Sequence, residues 1–89
     1  MIYKLRYSES VKNYLMNLTK KDKKATEKIL KGIKDIEQDP HKNKELQGMF
    51  KGSKVKRKGD YRIIYKIYED LNVICILKIG HRNKIYNKH

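Results

Sequence analysis

Hydrophobic and polar residues alternate from residue 2 to residue 7, with Tyr3, Leu5 and Tyr7 on one side and Ile2, Lys4 and Arg6 on the other. A period of two predicts a strand. The spacing then lengthens: Val11, Tyr14, Leu15 and Leu18 follow i, i+3, i+4, i+7, which predicts a short helix capped by Ser8 or Ser10. Thr19, with Asp22 three residues on, resembles a capping box that opens a second helix. Its inward stripe is Ala25, Ile29, Ile33 and Ile36, with Leu30 on the flank, and Pro40 stops it. Two helices joined by roughly two to four residues form an antiparallel hairpin.

No period is sustained over residues 41–52, which read as a loop containing Gly48 and Gly52. Strand-like runs follow at 53–57, 61–68 and 73–79, separated by Lys58-Gly59-Asp60 and Glu69-Asp70-Leu71-Asn72. That spacing predicts a three-stranded antiparallel meander. The expected class is α+β in the order β-α-α-β-β-β, a single domain over residues 1–89 with both helices on one face of the sheet.

Parity assigns faces. Tyr61, Ile63, Tyr65 and Ile67 are expected to meet the helices, leaving Arg62, Ile64, Lys66 and Tyr68 on the other side. Val55, the only apolar residue of its strand, is expected to point inward as well, which sends Lys54 and Lys56 outward beside Arg62. Such a cluster needs Lys56 opposite Arg62, and therefore a three-residue or bulged turn at 58–60 in which Gly59 takes the positive φ. Val73-Ile74-Cys75-Ile76-Leu77 is apolar on both faces, as a central strand should be.

Charge sharpens the picture. Of 89 residues, 23 are Lys or Arg and 10 are Asp or Glu, a formal charge of +13. A chain this short buries only about 60–65% of its unfolded surface, so its core is thin and deep cofactor-binding pockets are excluded. Cys75 is the only cysteine, which rules out a disulfide framework and a cysteine-based zinc site and fits the cytoplasm. His41, His81 and His89 lack metal-ligand spacing, so no metal is expected. The basic and apolar residues interleave at the N-terminus, and the longest apolar run is 73–77; neither a signal peptide nor a membrane span is expected.

The basic excess is uneven. Up to residue 47 there are 12 basic and 7 acidic residues, whereas the remaining 42 residues hold 11 and 3. Lys51, Lys54, Lys56, Arg57, Lys58, Arg62 and Lys66 fall together with Asp60 as the single acid between them. Phosphate neutralisation makes nucleic acid the first candidate partner. A sheet edge protected by lysine, or a general bias toward lysine (19 of the 23 basic residues), are the alternatives. Three of the four arginines, Arg57, Arg62 and Arg82, lie in this half, and a guanidinium fork holds phosphate bidentately where lysine does not. Tyr86 is spaced to stack on a base or offer its hydroxyl, or else to pack over the sheet edge.

Gly59-Asp60-Tyr61-Arg62-Ile63-Ile64-Tyr65, followed by Val73-Ile74-Cys75-Ile76-Leu77-Lys78-Ile79-Gly80-His81-Arg82 and then Ile85-Tyr86, resembles the RelE toxins of the RelE/ParE superfamily. The resemblance extends over essentially the whole chain. It implies a RelE-like fold and a toxin that cleaves messenger RNA in the ribosomal A site, an endoribonuclease (mRNA interferase) that needs no metal or cofactor. It also implies a cognate, RelB-like antitoxin. Carried over by position, Arg62 would bind the scissile phosphate, Arg82 would stabilise leaving-group charge and Tyr86 would orient the substrate. Lys54 and Lys56 match the basic pair of the preceding strand, as candidate general base and phosphate ligand. Lys51, Arg57, Lys58, Lys66, His81 and Lys84 complete a wider RNA-contacting set.

Two departures stand out. Many relatives place the basic pair one position nearer the turn, which would select Arg57 and put Val55 where a base is expected; alternation favours Lys54 and Lys56 instead. Relatives also often continue into a further helix where this sequence has Asn87-Lys88-His89, so antitoxin control by such a helix is not expected here. Two other readings remain: a ParE-like DNA gyrase inhibitor of the same fold, and a noncatalytic basic protein that binds ribosomes or RNA.

Overall fold

The computed structural model describes residues 2–86, the Met49 side chain excepted; the C-terminal expectation falls on residues outside that range. Strand β1 (Lys4–Tyr7) leads into α1 (Glu9–Lys21), whose N-cap is Ser8: its Oγ accepts from the Val11 N–H at 3.2 Å. Helix α2 (Lys23–Gln38) follows after one extended residue, Asp22. Asp22 closes α1 by donating its N–H to the Leu18 carbonyl at 2.7 Å, and opens α2 by accepting from the Ala25 N–H at 3.1 Å. Asp22 is therefore the cap expected at Thr19. Thr19 instead remains inside α1 and returns its hydroxyl to the Leu15 carbonyl at 2.7 Å, a bond open to threonine within a helix.

The remaining strands are β2 (Lys44–Glu45), β3 (Lys54–Lys58), β4 (Tyr61–Tyr68) and β5 (Val73–His81). They form one five-stranded sheet in the order β1-β5-β4-β3-β2, with β1 parallel to β5 and every other pair antiparallel. The meander and the helix layer are as expected. The two-residue β2 is an addition inside the segment read as a loop, too short to carry a detectable period. Among the described residues no helix is long and apolar enough to cross a membrane.

Both helices lie on one face. Val11, Ile29, Ile33 and Ile36 bury against Tyr3, Ile63, Tyr65, Ile74, Ile76 and Ile79 to make the main core. A second cluster occupies the opposite, helix-free face: Val55, Ile64 and Ile85, flanked by Leu46, Phe50 and Leu77. This cluster corrects the orientation of β3. Residues Gly59 and Asp60 make a two-residue turn that pairs Lys58 with Tyr61, Arg57 with Arg62 and Val55 with Ile64. Positive φ occurs at Gly59 (60°) and not at Asp60, the pattern of a type II′ hairpin, which needs glycine first. Val55 is buried as expected, but on the helix-free face. Lys54, Lys56 and Lys58 consequently point toward the helices.

Candidate functional site: an arginine-lined groove

Paired residues in a sheet present their side chains to the same face. On the helix-free face one row runs Arg57, Arg62, Gly80 and the next runs Lys44, Val55, Ile64, Lys78. Two arginines set directly opposite one another have β-carbons about 5 Å apart and repel. Arg62 is tethered there: its Nη1 donates to the carbonyls of Gly59 at 3.0 Å and Tyr61 at 2.9 Å.

The chain then folds back. Lys84 and Ile85 donate their N–H groups to the His81 carbonyl at 2.8 and 3.0 Å, and the Arg82 N–H reaches the Asp60 carbonyl at 2.8 Å. This turn drives Ile85 into the second cluster, where it is 1% exposed. Gly80 makes room for it, since a β-carbon there would stand 3.1 Å from Ile85 Cδ1. Arg82 and Tyr86, on either side of Ile85, are left on the groove. Arg82 Nε lies 3.8 Å from Asp60 Oδ1, and the Tyr86 ring meets Phe50 edge-on at 6.3 Å.

The result is an open groove of about 610 Å³ lined by Arg57, Arg62, Arg82, Tyr86, Lys42, Asn43, Lys44, Leu46 and Val55. Among the described residues no carboxylate lines it. Three guanidinium groups beside an aromatic edge and an apolar floor suit a phosphodiester carrying bases.

Of the expected site residues, Arg62, Arg82, Tyr86 and Arg57 converge. Lys54 and Lys56 do not. Lys54 Nζ donates to the Asn43 carbonyl at 2.9 Å, while Lys56 and Lys58 approach Asp35 of α2 at 3.8 and 3.1 Å. The Lys58 hydrogen bond is the main reason the Asp35 carboxyl sits below the ordinary carboxylate range. Lys66 shares the groove's face but lies about 13 Å along β4 from Arg62, its ammonium 5.3 Å from the Tyr68 ring. His81 packs edge-on against Tyr61 on the helix side, and its Nδ1 accepts from the Asn83 N–H at 3.2 Å. Lys51 and Lys84 are exposed in the turns before β3 and after β5.

Lys42, Asn43 and Lys44 were not anticipated. They reach the groove because Tyr65, fully buried, anchors the chain after α2: its hydroxyl donates to the Pro40 carbonyl at 2.6 Å and accepts from Asn43 Nδ2 at 3.0 Å. The signal that would have found them is the turn. Glycine in the first of two turn positions fixes the register, and the register selects which lysines face the arginines.

Helix hairpin and five-stranded sheet are the fold of solved toxins from toxin-antitoxin complexes, and the class is that of the toxins of type II toxin-antitoxin systems. The chain belongs to the family described as ParE toxin of type II toxin-antitoxin system, parDE, whose model matches residues 5–86. A Methanocaldococcus jannaschii protein named "Putative toxin RelE4" is 27% identical over 88 residues, covering 98% of this chain and 94% of its own. The toxin-antitoxin complex RelBE2 of Mycobacterium tuberculosis contains a chain that superposes with a TM-score of 0.79 at 23% identity, over 92% of this chain and 100% of that one. For the archaeal RelE-RelB complex of Pyrococcus horikoshii the TM-score is 0.68 at 26% identity, over 94% and 99%.

Proposed function

We propose that this toxin is an endoribonuclease that cuts messenger RNA in the ribosomal A site by attack of the ribose 2′-hydroxyl on the adjacent phosphate. The observation that carries the reading is the convergence of Arg57, Arg62 and Arg82 with Tyr86 in one groove. In-line attack builds negative charge on the equatorial phosphoryl oxygens and on the departing 5′-oxygen. Preplaced cations there lower the barrier more than they stabilise bound RNA. Arg62, tethered and half-buried, is assigned to the scissile phosphate, with Arg57 opposite it on the same phosphoryl group. Arg82, on the turn that follows β5, is assigned to the leaving oxygen, and Tyr86 to the neighbouring base. In the same reading the toxin works in the cytoplasm and is held silent by a RelB-like antitoxin with an acidic or amphipathic segment.

The family description favours a second reading, a gyrase poison of the ParE type. The two are separated by running primer extension on programmed ribosomes beside a supercoiling assay. The proposal expects cuts within A-site codons and unaltered supercoiling. It expects Arg62→Ala and Arg82→Ala each to lower cleavage by about 10²- to 10³-fold, the scale of losing one donor to a developing oxyanion. Wild-type cleavage in both variants overturns the site assignment.

A further inference from the structure

The sheet face that carries the groove extends beyond it. Further rows follow down the sheet, first Lys66, Cys75 and Arg6, then Tyr68, Val73 and Lys4, each in register across β4, β5 and β1. Four and six residues along β4 place these rows about 13 and 20 Å from Arg62. Between them and the groove, Ile85 and Phe50 pack over Val55 and Ile64. Lys78 adds a cation there, its Nζ 5.6 Å from the Phe50 ring centroid.

Like charges in adjacent strands repel, so a solvated face ordinarily mixes signs. Here every charged residue that the described strands present on this side is basic: Lys4 and Arg6 from β1, Lys66 from β4 and Lys78 from β5, besides those of the groove. Glu45, the single acid in the described strands, pairs with Lys54 and so faces the helices. Of the acids in the turn after β4, Glu69 is drawn to the helix side, where it accepts from the Tyr3 hydroxyl at 2.9 Å and meets His41 Nε2 at 2.9 Å; Asp70 is exposed.

The far rows enclose a hollow of about 480 Å³, lined by Lys4, Arg6, Tyr68, Leu71, Val73 and Cys75. Tyr68 is 39% exposed, and the Lys66 ammonium stands 5.3 Å from its ring centroid. An open aromatic ring beside a cation is the unit that holds single-stranded nucleic acid, the ring taking a base and the cation a neighbouring phosphate. Protection of a sheet edge accounts for Lys4 and Arg6 on the edge strand β1, but not for Lys66 on the interior strand β4 or for the open ring.

We propose that this hollow is a second RNA subsite, holding one nucleotide of the strand whose scissile phosphate lies in the arginine groove. It rests on the part of the reading above in which the groove holds a single RNA strand. The base stacks on Tyr68, the adjoining phosphates lie against Lys66 and Arg6, and Lys78 carries the strand across toward the groove. No bond is made or broken there. Held this far from the reacting phosphate, the nucleotide adds equally to ground-state and transition-state binding, so the subsite governs affinity and not the rate of the bound complex.

The test titrates two probes: a fluorescent oligouridylate of about 12 nucleotides, within the site sizes of single-strand binders, and inorganic polyphosphate, which has the charge without the bases. Circular dichroism confirms folding of each variant. Tyr68→Ala is expected to bind oligouridylate about 5- to 100-fold more weakly, the scale of one stacked base, with polyphosphate unchanged, and Tyr68→Phe should bind as the parent does. Arg6→Gln and Lys66→Gln should weaken both probes and flatten the salt dependence by roughly 0.7 unit each. Lys24→Gln, which removes a charge from the helix layer, should do neither. On programmed ribosomes, Tyr68→Ala should need more toxin for half-maximal cleavage and reach the wild-type rate at saturation. Wild-type affinity for oligouridylate in Tyr68→Ala and Lys66→Gln overturns the subsite and leaves the hollow to an acidic protein segment. Equal loss of both probes in Tyr68→Ala overturns it too, since no base is then being read. Ribosomes left uncut by a chain whose RNA binding still follows Tyr68 remove the endoribonuclease reading and keep the subsite.

Discussion

Tyr65 is the residue on which the two faces of the sheet meet. Its ring fills the core beneath the helices, and its hydroxyl ties the segment carrying Lys42 and Lys44 to the sheet. The sequence placed the ring inward by parity, but the hydroxyl's partners come from a segment without periodicity and were not legible. Tyr65→Phe leaves the Pro40 carbonyl and the Asn43 amide short of a partner. We expect a loss of about 1–3 kcal/mol, measured as a lower urea midpoint at unchanged slope, as the segment at the edge of the groove loses its anchor. Burial also holds the Tyr65 hydroxyl above its ordinary pKa of 10.0, opposed in part by the Asn43 bond. Tyr7 and Tyr14 are raised by burial too, and Tyr3 chiefly by its hydrogen bond to Glu69. A phenol whose folded pKa is raised stabilises fully below the unfolded value, and that contribution is lost as pH rises through the folded one. Denaturation should therefore set in above about pH 10, with a shallower decline in Tyr65→Phe than in the parent. An equal decline in both removes Tyr65 from the cause.

At the scale of elements, the β3–β4 hairpin decides which charges reach the groove. Strand 61–68 and the helices were legible because each has a sustained period and an unambiguous buried stripe. The face of β3 was not, since a five-residue strand with one apolar position says that Val55 is buried without saying on which side. The two-residue turn at Gly59-Asp60 sets that side, and the second cluster, assembled from Leu46, Phe50, Leu77 and Ile85 at distant points of the chain, fills it. Alternation points Lys54 and Lys56 outward, whereas the positional match selects Arg57, and the register agrees with the match. The same cluster gives the C-terminal turn its hold. Truncating Ile85, which is 1% exposed, to alanine removes a packed side chain at a cost of about 2–5 kcal/mol when the cavity cannot collapse. Because this turn lies at the surface, we expect the lower end of that range in global stability. Cleavage should fall further than stability accounts for, as Arg82 and Tyr86 lose their fixed approach. Ile85→Val should retain most of the rate, whereas a rate in Ile85→Ala equal to wild type detaches the turn from the site.

Across the whole molecule, the +13 charge is sorted by the sheet. Arg57, Arg62 and Arg82 line the groove on the helix-free face, and Arg6, paired with Cys75, rises from that face as well, so all four arginines share it. The lysines directed toward the helices are engaged otherwise, Lys56 and Lys58 by Asp35 and Lys54 by a carbonyl. Composition alone leaves lysine bias open as an alternative explanation. The sheet distinguishes them, because a bias has no reason to place every guanidinium on one side. Binding to a polyanion releases counterions, so log K falls linearly with log salt, with a slope set by the phosphates neutralised. Replacing Arg57, Arg62 or Arg82 with glutamine should flatten the slope for single-stranded RNA by roughly one unit each, given about one phosphate per arginine. Lys24→Gln and Lys31→Gln, on the exposed side of α2, remove the same charge from the opposite layer and should leave the slope in place. Equal flattening by both sets in fluorescence titrations at several salt concentrations means the molecule binds through its net charge and not through this face.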